Sequence, residues 1–347
     1  MMTVDTKPGP DVAHLRRPAR VRLAWLLLVL AVLTLVMLAS VAFGSRAVGW
    51  SDITAALAGT DDTLNQAAVV KRIPRTILAA LVGAALALSG AAMQGVTRNP
   101  LADPGILGVN MGAMLAIAVG MTTVGLYTAT AYIWAAIAGA ALSSLFVYAV
   151  GSLGRAGPTP LKIALAGAAT SAALASLVVA VVLPRGDIAE NFQSWQVGGV
   201  GGATWDSIGH VLPFLAAGLA ICLLCARALN SLALGDDMAA ALGERVAVIR
   251  GIAALGAVVL CGAATAVAGP IAFVGLIVPH LCRLLVGLDH RWLLPFATLV
   301  GAALLTAADV VGRVVNRPDE IEAGIITALI GAPFFIYIVR RQKVREL

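Results

Sequence analysis

The sequence predicts an all-α polytopic membrane protein with about ten transmembrane helices. Three observations predict it. Of 347 residues, 60% are hydrophobic and only 12% charged, with a mean hydropathy of +0.94, far from the range of soluble domains. Long uncharged blocks recur along the chain, separated by short polar connections. The 36 glycines, with abundant alanine in runs such as GAALALSG at 83–90, supply the small side chains that let helices approach closely in lipid.

Residues 1–22 are polar, with Arg16, Arg17, Arg20 and Arg22 ahead of an apolar block at 23–43. That block is long enough to span, and its flank lacks a small-residue cleavage site, so it reads as the first helix rather than a signal peptide. Residues 44–75 form a mixed extramembrane piece ending in Lys71, Arg72, Ile73, Pro74 and Arg75. Uncharged blocks follow at 76–97, 104–154, 163–184, 207–226, 251–282, 292–308 and 323–339. Two of these, 104–154 and 251–282, are long enough to cross twice, the second with one short or broken helix. The chain divides into a tail at 1–22, a transmembrane domain at 23–339 and a tail at 340–347. A faint echo relates 83–90 to GAATAVAG at 262–269. Inverted repeats look like this, and so do chance matches between alanine-rich helices.

An even number of crossings puts both termini on one side, and the basic residues make that side cytoplasmic. Arg340, Arg341, Lys343 and Arg345 match the N-terminal cluster, and the connections holding Arg98, Arg155 and Lys162, Arg227 to Arg250, and Arg283 to Arg291 fall inside too. The net charge of +6 is therefore a topology signal, since the cations sit at block ends rather than on one nucleic-acid-binding face. Arg72, Arg75 and Arg313 are the exceptions, placed outside. Docking an acidic partner explains cations on the disfavoured side; anchoring to lipid headgroups is the plainer alternative. Arg72 and Arg75 stand three apart around Pro74, which suits a helix start, so both are expected to project from one face. Arginine also suits two-pronged pairing with carboxylates.

Residues 93–112, MQGVTRNPLADPGILGVNMG, interrupt the membrane pattern. Asn99-Pro100 and Asp103-Pro104 both end helical geometry. Freed backbone is tolerated at membrane depth only where protein buries it or water reaches it, so this is either an ordinary short loop or a re-entrant turn lining a pathway. The longest cytoplasmic connection contains SLALGDDMAAALGERV at 231–246. Asp236 and Asp237 precede a short helix-favouring run, Met238 to Leu242, and Gly243 closes it. Met238 and Leu242 on one side suit docking into a groove of a soluble partner; a solvated loop helix is the alternative.

Several functions are excluded. No G-x-x-x-x-G-K-[ST] occurs, so any ATP is bound by another chain, and the glycines at 198–202 lack a strand–helix context for nucleotide. No acid or base stands in mid-span, which argues against an ion-coupled carrier, and no histidine pairs with a nucleophile or carboxylate at catalytic spacing. Cys222, Cys225, Cys261 and Cys282 lie in or beside apolar blocks, so the CxxC at 222–225 reads as buried small hydrophobes, not a redox or zinc motif.

Several motifs carry a family resemblance: Arg72-Ile-Pro-Arg75; Gln94 with RNPLADP at 98–104 and Leu107-Gly108; Leu232-Ala-Leu-Gly235 with Leu242-Gly243; GPIAFVGLIVPH at 269–280; Asp289-His290-Arg291; Ala308-Asp309; and Gly331-Ala-Pro-Phe334. In this order they strongly resemble the FecCD-type permeases, membrane subunits of the ABC importers for iron-siderophore, haem and vitamin B12. The resemblance runs from about residue 45 onward. Residues 227–231, RALNS, and 287–292, GLDHRW, look most like the ferric-enterobactin permease subunits, implying a catecholate siderophore.

The resemblance implies a type II ABC importer permease of ten helices, paired with a second FecCD-type permease, identical or different, and with two cytoplasmic ATPases that bind ATP and magnesium. An extracytoplasmic binding protein delivers cargo at a bacterial cell membrane. It places Asn99 and Leu101 at an inner gate with Thr159, Pro160 and Leu161 opposite, and Leu234, Gly235, Asp236, Met238, Leu242 and Gly243 at the ATPase contact. Arg72, Arg75 and Arg313 match family arginines that meet glutamates of the binding protein. Pro158-Thr159-Pro160 departs from the serine/threonine-rich turn of the vitamin B12 permeases. No covalent chemistry, cofactor or protein metal site is expected, because the iron travels inside its chelate. Haem or vitamin B12 permeases share these motifs, and an ion-driven secondary transporter is the rival from another class.

Overall fold

The protein is described by a computed structural model at residues 18–126, 128–153 and 160–341, and these contain no strand. Among the described residues, seven helices are long and apolar enough to cross a membrane: α1 (Ala19–Ala42), α3 (Leu64–Thr97), α5 (Ala129–Gly151), α6 (Pro160–Val182), α8 (Trp205–Leu224), α11 (Val246–Ala268) and α13 (His290–Val315). Three shorter apolar helices complete the expected set: α4 (Val109–Val119), prolonged by a π turn at Gly120–Val124, α12 (Val274–Val286) and α14 (Ala323–Arg341). Both blocks expected to cross twice do break, 104–154 between α4 and α5 and 251–282 between α11 and the short α12. Short helices α2 (Trp50–Leu57), α7 (Gly186–Val197), α9 (Ala226–Leu232) and α10 (Asp236–Ala241) lie in the connections.

The bundle is built around α3. Helices α1, α8, α11, α12 and α13 all pack on it, and 78% of its most apolar window is buried inside protein, against 6% for α1. The glycine–alanine run explains why so many neighbours fit. A Cβ on Gly83 would strike the Gly301 carbonyl of α13, and one on Gly90 would strike Gly275 of α12, so close backbone approach requires glycine at both levels.

The start of α3 corrects an expectation. The helix begins after Thr63, whose side chain accepts from the Gln66 N–H while Gln66 Oε1 accepts from the Thr63 N–H, a reciprocal cap worth about 1 kcal/mol. Residues 64–75 are thus helical, with Val69 packed on Ile53 and Ala56 of α2, and Pro74 stands inside the helix rather than at its start.

Helix α7 was not expected. Beyond it, Gly198 at φ +80° accepts the Gly324 N–H while the Gly199 N–H donates to Ala268 O. The glycines at 198–202 therefore pack the ends of α11 and α14 together. All four cysteines are buried and free, as small hydrophobes would be.

Candidate gate and coupling site

At one end of α3 the chain leaves the bundle in two adjoining pieces. Arg98, in the left-handed conformation at φ 52°, caps α3 and turns the backbone out of the helix. The Leu101 N–H then donates to Asn99 Oδ1 at 3.0 Å, and the Ala102 N–H to Asn99 O at 3.1 Å. Asp103 Oδ1 accepts the Gly105 N–H at 2.8 Å, capping a 3-10 turn at Pro104–Leu107. Gly108, at φ +72°, leads into α4. The proline-broken stretch is thus an ordered turn whose freed backbone groups meet side chains of the same turn. Asn99 and Leu101 are half-buried in it.

Thr159 lies outside the described residues, while Pro160 opens α6 and Leu161 is exposed. Helix α6 packs against the 3-10 turn, and Ser171 of α6 borders Gly108.

The second piece is α10. Gly235 at φ +109° precedes it and Gly243 at φ +86° follows it, the left-handed positions glycine occupies without strain. Leu234, Met238 and Leu242 are 65%, 54% and 60% exposed, while Ala239 is buried. The helix therefore presents large apolar side chains outward, as a docking surface does. Asp236 faces the other way. Its Oδ1 lies 2.9 Å from Arg98 Nη2, and Arg250 of α11 grips it with two bonds of 2.8 and 3.0 Å.

Next to this lies a joint that joins two motifs singled out in the sequence. Asn230 Oδ1 accepts both the His290 backbone N–H and its Nδ1–H at 2.8 Å, and Asn230 Nδ2 donates to Asp289 Oδ1 at 2.7 Å. Burial works against the Asp289 carboxylate, but hydrogen bonds from Arg291 and Asn230 outweigh it and hold its pKa down at about 2. The RALNS and GLDHRW motifs are therefore two sides of one structural contact.

At the other end of α3, about 35 Å away by helix rise between residues 75 and 98, the expected docking arginines take a different arrangement. Arg72 and Arg313 do not project outward: both are buried. Arg72 donates to the Val41, Ala42 and Arg46 carbonyls, and Arg313 to the Ser40 and Phe43 carbonyls. These are the last carbonyls of α1 and its exit, which have no partner within the helix, and two cations satisfy them. Gly44 makes the room, since a Cβ there would stand 2.6 Å from the Arg72 guanidinium.

Arg75 pairs with Asp309 at 2.8 Å and with Glu320 at 2.6 Å, and Asp309 also pairs with Arg313 at 2.9 Å. Burial disfavours the Glu320 carboxylate, yet hydrogen bonds from Arg75 and Ser45 shift its pKa below the usual range. Nearby Glu322 shifts upward, mainly through burial. Sequence reasoning missed Asp309, Glu320 and Asn230 as partners. One signal was available: Asp309 and Arg313 stand one helical turn apart in an otherwise apolar helix.

The sequence model of the FecCD transport family matches residues 30–341. The ferric enterobactin transport system permease protein FepD of Escherichia coli is 45% identical, over 87% of this chain and 91% of its own. The iron(3+)-hydroxamate import system permease protein FhuB of Bacillus subtilis is 43% identical, over 78% of this chain and 71% of its own. Permeases named for ferric dicitrate, hemin and cobalamin also match. Among solved structures, an inward-facing transporter of metal-chelate ABC type superposes with a TM-score of 0.78 at 28% identity, covering 92% of this chain and 99% of that one.

Proposed function

The chain belongs to the FecCD transport family, and from that premise we propose that it carries a ferric siderophore into the cytoplasm, driven by ATP that partner subunits hydrolyse. Its relatives are permease subunits of iron-siderophore, citrate, haem and cobalamin importers. The working assembly is two permeases, identical or different, two cytoplasmic ATPases docked on α10, and a binding protein at the opposite face. The chain itself does no covalent chemistry and holds no cofactor; ATP and magnesium reside on the ATPases and iron within its chelate. Both termini face the cytoplasm of a bacterial cell membrane, on the strength of the basic flanks.

The observation that carries this reading is the adjacency of an exposed apolar helix, α10, to the broken turn at 98–104. A soluble partner on α10 pushes directly beside the place where α3 stops, so Asn99 and Leu101 form the inner gate, with Thr159, Pro160 and Leu161 as its second side. Reconstituting the permease with its ATPases and binding protein tests it. Uptake is expected to require ATP and to ignore an imposed ion gradient. Uptake driven by an ion gradient without the ATPases would replace this reading with a secondary transporter.

The catecholate preference rests on the 45% identity to the enterobactin permease, and competition among ferric enterobactin, a ferric hydroxamate, haem and cobalamin tests it. Preferential uptake of haem or cobalamin would move the chain to another branch of the same family.

A further inference from the structure

We propose that Asp236 is a positioning residue that ties the inner gate to α10, so that displacement of α10 is passed to the 98–104 turn through the Arg98 guanidinium. This rests on the reading of α10 as the ATPase contact and of 98–104 as the gate. Asp236 is the first residue of α10, so it moves with that helix. Its Oδ1 accepts from Arg98 and Arg250 at once, at 2.9 and 2.8 Å, and its Oδ2 accepts from Arg250 at 3.0 Å. One carboxylate therefore joins three elements: the coupling helix, the second turn of α11, and the residue that ends α3.

Arg98 is suited to pass on a displacement. It occupies the left-handed region at φ 52°, which a side chain with a Cβ adopts only when its surroundings hold it there. The next residue, Asn99, fixes Leu101 through its side-chain oxygen. A change at the Arg98 guanidinium thus reaches Leu101 through a short, ordered stretch of backbone. The Arg98 guanidinium also lies 3.9 Å from where a Cβ on Gly235 would stand, so it reaches the left-handed glycine that introduces α10. Arg250 anchors the carboxylate with a two-pronged grip, leaving the single bond to Arg98 as the part of the joint that is free to alter.

The pair is 41% and 43% exposed, and exposed pairs contribute little to stability. Its value is register, which mutation can separate from folding.

The test uses the complete importer in liposomes with Leu101→Cys as a reporter, read by the labelling rate with a membrane-impermeant maleimide, nucleotide-free and vanadate-trapped. The native cysteines are all buried. The parent is expected to change its labelling rate at least about fivefold between the two states. Adding Asp236→Asn should reduce that change below about twofold. Arg98→Gln, which leaves α10 itself unaltered, should do the same while the ATPase subunits still copurify and hydrolyse ATP; the double variant should be no worse than either single one, and Arg98→Lys should retain part of the response. A parent without nucleotide dependence overturns the gate reading and the relay together. A responsive parent whose Asp236→Asn derivative responds equally overturns the relay alone, as do additive effects in the double variant or loss of the ATPase subunits from Arg98→Gln. Should Asp236→Asn fail to fold, the contrast between Arg98→Gln and Arg98→Lys decides in the same way.

Discussion

Arg313 reaches Ser40 twice, donating to its hydroxyl at 2.6 Å and to its carbonyl at 3.1 Å. Ser40 Oγ in turn lies 2.6 Å from Thr76 Oγ1, so three long helices, α1, α3 and α13, meet through one buried polar cluster. Helix α1 is otherwise the least covered of the long helices, and its register on the bundle depends on this contact.

Arg313→Ala should therefore destabilise the protein. Removing one partner of a buried ion pair leaves Asp309 with Arg75 alone and takes the donor from the Ser40 and Phe43 carbonyls, a loss of about 3–5 kcal/mol. Arg313→Lys keeps the charge but not the planar fork and should cost less. Thermal unfolding of the purified protein in detergent checks both; an Arg313→Ala protein that melts like wild type would show that α1 is held by lipid-facing packing instead.

The Asp289 carboxylate gives a pH dependence with a definite sign. Its folded pKa of about 2 lies below the ordinary value of 3.8. A group depressed on folding contributes stability above its unfolded pKa and loses it as pH falls through the folded one. The contribution is thus intact at pH 5 and lost between about pH 4 and 2, amounting to at most about 2 kcal/mol. Asp289→Asn should melt lower at pH 5 and show a shallower decline across this window. Parallel melting curves for the two proteins would contradict the assignment.

Much of this was legible in the sequence because the signals were local. Composition and uncharged blocks pointed to about ten apolar helices, and the acidic pair ahead of Met238 to Leu242 with Gly243 behind it pointed to a short helix where Asp236–Ala241 forms one, beginning two residues earlier than that run. Partners far apart in sequence were not legible. Nothing local says that Arg72 turns back to cap α1 or that Asn230 meets His290 across 60 positions. Pro74 misled because proline favours a helix start, while the Thr63 cap and the packing of Val69 carry α3 back past it. The motifs nearest to enterobactin permeases, RALNS and GLDHRW, form a structural joint, so their likeness speaks for shared architecture more than for cargo.

Helix α10 is short enough for one residue to decide its docking. Leu242→Asp places a charge on the exposed apolar face and Gly243→Pro replaces a residue at φ +86° with one locked near −65°. Leu242→Asp should leave the permease folded, since Leu242 is 60% exposed, and Gly243→Pro should unwind only the end of α10, where open space surrounds Gly243; both should lower uptake and substrate-stimulated ATP hydrolysis at least about tenfold. Full stimulation in both would mean that the ATPase docks elsewhere.

The binding-protein surface is best probed at Arg75. Reversing Arg72 or Arg313 would unpack the end of α1 before it reported on docking, whereas Arg75 meets the exposed side through Glu320, whose side chain is 33% exposed. If a glutamate of the binding protein engages Arg75, it competes with Glu320 for the same guanidinium. Arg75→Gln should then weaken docking, and Glu320→Gln should strengthen it by removing the internal competitor. A desolvated pair at such an interface loses about 2–5 kcal/mol when one partner is removed, while an exposed pair loses about 0.2–1 kcal/mol. Equilibrium binding of the binding protein to the permease, measured at 20 and 150 mM salt, separates the two cases, because only exposed pairs are strongly screened. Unchanged affinity of Arg75→Gln at low salt would remove this cluster from the docking surface and leave it as the cap of α1.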